Sequence, residues 1–365
     1  MKRYAAQEAG RILLIALLCA LGACSVAFSK EIQTADDYLQ KLRALTERVV
    51  AGDMETRRTT AKLLRDMGKP VLQYLDAEMK AAEPERRRRA AFVIGEIGNP
   101  AGRGSLTPAL KDRDGSVRAA AVSALGKLGE KKSSLEIAGL LTDRDERVRA
   151  ESVRVLGELH AHGHTAQIER LLCDPSERVR SNAIQAVGNL KDRSAVTALI
   201  GLLDSPSAGI RNNAVIALGK IGDPSALPGI RKAVDDGDQW VRSSAAAALG
   251  AMGDKGAVPS LIKATSDKSP YVRGSAATAL GALKSSSAIS SLCALLDDRG
   301  PSGFFILEPY RRTEVREEAA DALGAITGLS HGFSKTAGTA EREEALMKWQ
   351  AWCAEKIPAP TPTPT

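Results

Sequence analysis

Aromatic residues are scarce in this sequence. Phe, Trp and Tyr make up 4% of 365 residues, against 44% hydrophobic residues in all, so a core has to be assembled from Ala, Leu, Val and Ile, whose small size permits close helix packing. Cysteine is also thin. The five residues Cys19, Cys24, Cys173, Cys293 and Cys353 show no CxxC spacing, which argues against a disulfide framework and against a cysteine zinc site. The long apolar run Ile12 to Ala23 is too short for a permanent bilayer span, which takes about 20 residues. No nucleophile, base and orienter set stands out, nor a glycine-rich phosphate loop after a strand.

What is present begins with an export signal. Lys2, Arg3 and Arg11 form a basic start, the apolar run follows, and small residues come after it. Leu21-Gly22-Ala23-Cys24 resembles the bacterial lipobox, which implies lipidation of Cys24 as the mature N-terminus, and Ser25 in the next position implies the outer membrane. The alternative is an ordinary signal cut after Ala27 or Ser29. The formal charge of +7 includes Lys2, Arg3, Arg11 and Glu8; without residues 1–23 the chain keeps 48 basic against 43 acidic residues, or +5. That excess does not by itself call for nucleic acid or a membrane surface.

The body of the chain repeats every 31 residues, and such a period decides a fold. Arg87, Arg118, Arg149, Arg180, Arg211, Arg242 and Arg273 keep this step, as do Gly95, Gly126, Gly157, Gly188, Gly219, Gly250 and Gly281. Asp114, Asp145, Ser176, Ser207, Asp238 and Ser269 read as N-caps of a first helix, with Pro270 at the N1 position. Gly98, Gly129, Gly222 and Gly253 read as its stop. A second helix carries pairs such as Leu140-Leu141 and Leu261-Ile262. Neither helix can bury its apolar stripe alone, so units have to stack. A glycine inside every first helix costs about 1 kcal/mol relative to Ala, which implies close approach of a neighbouring backbone. Cys293 and Cys353 fall in consecutive second helices; buried free thiols are the preferred expectation, pairing in an oxidising compartment the alternative.

A second charged column, Asp112, Asp143, Asp174, Asp236, Asp267 and Asp298, steps by multiples of 31, with one gap at Ser205, where Asp204 is displaced by one. All but the last precede a ladder arginine by six. The Asp-x5-Arg pattern with the Ala-Leu-Gly helix resembles HEAT repeats, particularly the short bacterial type similar to phycobilisome-lyase repeats. The resemblance covers about residues 84–330. It implies an all-α, right-handed solenoid of the armadillo-like kind, with Asp and Arg forming a ladder between successive units. A charged column at constant phase in an apolar array is tolerable when its members pair, so these residues are assigned to structure. The expected organisation is a signal over 1–23 with Cys24 after it, linker and capping helices over 24–83, the repeat array over 84–356 and a Pro/Thr-rich tail over 357–365. Helices are expected at 35–51, 54–66 and 70–82. A closing amphipathic helix from Glu341 to Lys356 carries Trp349 and Trp352; with the Thr327-Gly328 turn it resembles the end of many exported bacterial HEAT proteins.

Recognition is expected where the pattern breaks. Residues 299–312 are an insertion holding Phe304, Phe305 and Tyr310: a partner-contacting loop, or a loop covering the end of the core. Trp240 and Tyr271 occupy equivalent positions just before the Val-Arg of consecutive repeats, in a column that also holds Arg147 and Arg178. This stripe either grips a partner or shields a turn. His160, His162 and His164 alternate in one turn and are weak metal candidates beside the plain reading of a solvated turn. Arg86 to Arg89 read as a solvated face. The expectation is a non-catalytic scaffold, without a cofactor, a small-molecule substrate or nucleic acid, that binds a protein or peptide in the bacterial periplasm. The alternatives are a lyase-like enzyme on a HEAT scaffold and a nucleic-acid-binding HEAT protein. For the first, the resemblance offers bilin lyases, whose substrates an exported chain does not meet, and deoxyhypusine hydroxylases, whose His-Glu pairs are absent here.

Overall fold

The computed structural model describes residues 35–129, 131–307 and 311–356, and for residues 35, 303–307, 311 and 312 the backbone alone. Cys24, Tyr310 and the 357–365 tail lie outside the described residues. The chain divides into two compact units, Met1–Ala186 and Val187–Thr365.

The first unit opens with helices α1 (Ala35–Ala51), α2 (Met54–Asp66) and α3 (Lys69–Glu78). Helix pairs follow: α4 (Pro84–Ile97) with α5 (Arg103–Ala109), α6 (Gly115–Lys127) with α7 (Ser134–Ala138), and α8 (Glu146–Glu158) with α9 (Thr165–Arg170). Helix α10 (Glu177–Leu190) contains the boundary between the units, and α11 (Val196–Gly201) follows it. The second unit continues with α12 (Ala208–Ile221) and α13 (Leu227–Ala233), α14 (Gln239–Ala251) and α15 (Val258–Ala264), then α16 (Pro270–Ala282) and α17 (Ile289–Ala294). After two short strands, α18 (Val315–Thr327) and α19 (Thr339–Lys356) close the described chain.

Local chemistry sets these boundaries. Asp114, Asp145 and Asp238 each accept the amide of the residue two positions on, satisfying a first-turn donor that the helix leaves open. Ser269 departs from the expected capping: its buried hydroxyl has no hydrogen-bond partner among the described residues, and Pro270 fixes the first turn in its place. First helices end where the backbone turns left-handed, at Gly98, Gly129, Gly222 and Gly253, all with positive φ. His160, Lys191 and Lys284 adopt that conformation without glycine's freedom. The second helices are shorter than their apolar pairs suggest, because turns of 3-10 helix flank them.

Stacking explains the glycine column. A Cβ on Gly250 would lie 2.7 Å from the Cα of Ala279, and one on Gly95 would lie 2.8 Å from the Cα of Ala124. Consecutive first helices therefore touch backbone to backbone, α4 on α6 in one unit and α14 on α16 in the other. The core between the layers is almost wholly Ala, Val, Leu and Ile, as the scarcity of aromatics requires.

Two features depart from the sequence expectations. The 299–312 insertion is not an irregular loop: β1 (Pro301–Leu307) pairs antiparallel with β2 (Arg311–Glu314), Pro301 opposite Glu314 and Leu307 opposite Arg311. Cys293 and Cys353 are not free thiols either. They form a disulfide with a Cα–Cα distance of 5.8 Å that ties α17 to α19. The sequence offered this pairing only as the alternative to free thiols, because one isolated pair has no framework spacing to read. Beside it Trp349 is fully buried, with His331 edge-on at 4.4 Å and Trp352 at 5.5 Å. Among the described residues no helix is long and apolar enough to cross a membrane.

Candidate functional site

The charged columns form one repeated construction. In the first unit Arg87 pairs with Asp112, Arg118 with Asp143 and Arg149 with Asp174; in the second, Arg211 pairs with Asp236, Arg242 with Asp267 and Arg273 with Asp298. In each pair Nε and Nη2 donate to the two carboxylate oxygens, a planar fork on a planar acceptor at 2.5–3.0 Å. The remaining nitrogen, Nη1, donates to two backbone carbonyls five and six residues earlier, as Arg242 does to Gly237 and Asp236. An arginine thus holds the loop before its own helix through the carbonyls and the loop before the next helix through the carboxylate. The carboxylate has a second task, accepting the amide two residues on, as Asp267 does from Ser269.

These carboxyls are held below their ordinary range. For Asp112 and Asp236 the arginine hydrogen bond is the largest influence. For Asp143, Asp174, Asp267 and Asp298 burial is the largest influence and pushes upward, but the arginine bond and the backbone amide together outweigh it. With both partners committed to one another, the rungs are structural.

The irregular residues divide between the units. In the first, Arg147 folds back on its own capping residue, Asp145, through Nε at 3.1 Å and Nη2 at 2.7 Å, and remains largely exposed. Arg178 is exposed. In the second unit Trp240 and Tyr271 stack at 4.8 Å with their rings tilted by 44°, both partly exposed. Phe304 lies with Phe305 in β1. The base of this hairpin sits on α16 at Gly274, where an added Cβ would collide with Ser302. The corresponding residues of earlier repeats, Ser243 and Asn212, carry side chains, so glycine opens the seat for the insertion.

The other candidates resolve simply. The His160 and His162 rings stand 6.5 Å apart and His164 faces Gln167 at 3.1 Å. Among the described residues no group of three or more His, Cys, Asp or Glu side chains is placed to hold a metal ion. In the arginine run, Arg86 pairs with Glu78, Arg88 and Arg89 pair with Glu85, and Arg87 is a rung. Sequence reasoning missed Phe92, over whose ring stand the cations of Arg57 and Lys127 at 5.3 and 5.0 Å from its centroid. It also missed a cleft lined by Arg43, Tyr74, Glu78 and Arg86. Both draw on helices outside the regular repeat or on different repeats, and no local motif marks them.

Helix pairs stacked through a glycine column and tied by a bidentate Asp–Arg ladder define an all-α repeat fold. The family model for HEAT repeats matches residues 74–157, 135–207, 165–250 and 228–302, most of the chain, and the chain belongs to that family. Comparison with curated proteins returns no match. Among solved structures, importin beta is similar in fold at 15% identity and a TM-score of 0.54, over 86% of this chain and 51% of that one. The Escherichia coli protein YibA is similar at 20% identity and a TM-score of 0.52, over 70% of this chain and 98% of that one. The CpcE–CpcF complex of phycocyanin lyase from Nostoc matches at 20% identity over 77% of this chain and 94% of that one, with a TM-score of 0.37, too loose to carry an argument.

Proposed function

We propose that this protein is an exported, non-catalytic HEAT-repeat scaffold that binds a protein or peptide partner in the bacterial cell envelope, anchored at the outer membrane through a lipid on Cys24. The observation that carries the binding role is the hairpin insertion. Twelve residues beyond the repeat period build two strands on a seat that Gly274 opens, a construction the stacking of helices does not need. Aromatic and arginine side chains dominate binding energy at many interfaces; the residues of those types that break the repeat are Trp240, Tyr271, Arg147 and Arg178, with Phe304, Phe305 and Tyr310 in the insertion. The Cys293–Cys353 disulfide supports export, because structural disulfides persist in oxidising compartments.

Two experiments test the parts separately. Cys24→Ala should move the protein from the membrane to the soluble envelope fraction; an unchanged distribution refutes the lipid anchor. Affinity capture from envelope extracts should lose its partner with Trp240→Ala or with residues 301–313 replaced by a short Gly-Ser linker. Retention of every partner by both variants refutes the proposed surface.

A further inference from the structure

Within the first unit α1 and α3 lie outside the regular repeat, and both pack on α4. Between the three helices is a cleft of about 240 Å³. On α4 its lining runs Arg86, Arg89, Ala90 and Val93, one face of a helix at i, i+3, i+4 and i+7, while Arg87 beside them turns to the ladder. Ala90 and Val93 are buried, as is Leu75 of α3, and together they make an apolar floor.

The rim is charged, and its charges differ in what they already hold. Arg86 is committed to Glu78 through Nε at 2.9 Å and Nη2 at 2.6 Å. Arg89 gives only its Nε, to Glu85 at 2.7 Å. The exposed Arg43 of α1 pairs with no carboxylate among the described residues, although Glu47 stands one turn further along the same helix. Between rim and floor lies Tyr74, half-buried. Burial, and after it the charge of Glu78, push its phenol above the ordinary value against the pull of Thr46 and Arg43 beside its oxygen, so the hydroxyl keeps its proton at neutral pH. Arg43, the Nη groups of Arg89 and this hydroxyl are donors without an anion, set around an apolar floor. That arrangement calls for a negative group carried on an apolar body.

We propose that the cleft binds an α-carboxylate carried by an apolar residue, the carboxylate on Arg43 and the Tyr74 hydroxyl and the side chain over Leu75, Ala90 and Val93. Size sets the limit to one residue, because pockets that enclose drug-sized ligands run to about 300–1,000 Å³. The bearer is the carboxyl end of a peptide or a free amino acid, whose ammonium would meet Glu47. An arginine fork and a hydroxyl on one carboxylate supply charge-assisted hydrogen bonds, and the floor supplies the burial of the side chain. The cleft uses none of the residues of the proposed partner surface, so the inference stands apart from the scaffold reading.

The test uses the full chain with its tyrosine rings labelled with carbon-13, the Tyr74 signal being the one lost in Tyr74→Phe. Four probes are titrated: acetyl-Gly-Gly-Leu, its carboxyl amide, acetyl-Gly-Gly-Gly and leucine. A saturable shift of the Tyr74 signal by acetyl-Gly-Gly-Leu or by leucine is expected, and which of them acts identifies the bearer. The amide should bind about tenfold more weakly or not at all, because it loses the charge that the arginine meets. Acetyl-Gly-Gly-Gly should weaken by a similar factor, because it has no side chain to bury. Arg43→Gln should lower the affinity about tenfold, whereas Arg58→Gln, at an exposed arginine of α2 outside the cleft, removes the same charge and should leave it unchanged. No saturable shift by either acid overturns the proposal. So does an amide that binds as tightly as its acid, or an Arg43→Gln chain that binds as tightly as the original.

Discussion

Each ladder aspartate accepts from an arginine fork and from a backbone amide, so removing one partner strands the other. Arg242→Ala leaves the Asp267 carboxylate with the Ser269 amide in place of the arginine fork and takes the arginine donor from the Asp236 carbonyl. Breaking a pair this buried should cost roughly 3 kcal/mol, read from urea unfolding; a loss under about 0.5 kcal/mol, the size of an exposed pair, would show the rungs to be ornament. The pH dependence follows from the direction of the shifts. A carboxyl whose folded pKa lies below its unfolded value stabilises the fold above the unfolded value, about 3.9, and loses that contribution as pH falls through the folded one. The ladder should therefore hold at neutral pH and fail as pH drops below about 4. Asp267→Asn should flatten this acid limb in a pH-resolved melt; an unchanged limb would place the acid sensitivity elsewhere.

At the scale of the helix, the glycine column and the disulfide make separate claims. Gly250→Ala pushes a methyl group against the Ala279 backbone and should destabilise by about 1–3 kcal/mol, although alanine favours a helix elsewhere. A gain in melting temperature would contradict backbone contact. The Cys293–Cys353 bond closes a loop of 60 residues that includes the hairpin and α18, worth about 4 kcal/mol through the unfolded state. Non-reducing mass spectrometry should find the linked peptides, and Cys353→Ser should lower the melting temperature; free thiols in the purified protein would refute the bond. The glycines were legible because their period repeats. The disulfide was legible only as the alternative to free thiols, because pairing depends on how α19 docks, and the helix pattern around Cys353 is that of any amphipathic terminus.

Across the whole molecule, regularity made the fold readable and irregularity made the site hard to read. A 31-residue step in Arg, Asp and Gly places the helices, their caps and the ladder before any coordinates, since each unit answers to the same packing constraint. The ladder's pairing order needed the structure: Asp112 and Arg118 look like partners at a separation of six, yet the Asp112 carboxylate takes Arg87, and Arg118 receives only the Asp112 carbonyl. The hairpin escaped a helical reading because its two strands fall outside the period and depend on Gly274 for their seat. The most direct measurement of the scaffold claim is photo-crosslinking in intact cells, with p-benzoylphenylalanine at Tyr271 or Tyr310 and at Leu135, an exposed residue of the regular repeat. Discrete crosslinked species from Tyr271 or Tyr310 and none from Leu135 are expected; crosslinks from Leu135 alone, or none from either tyrosine, would contradict the account.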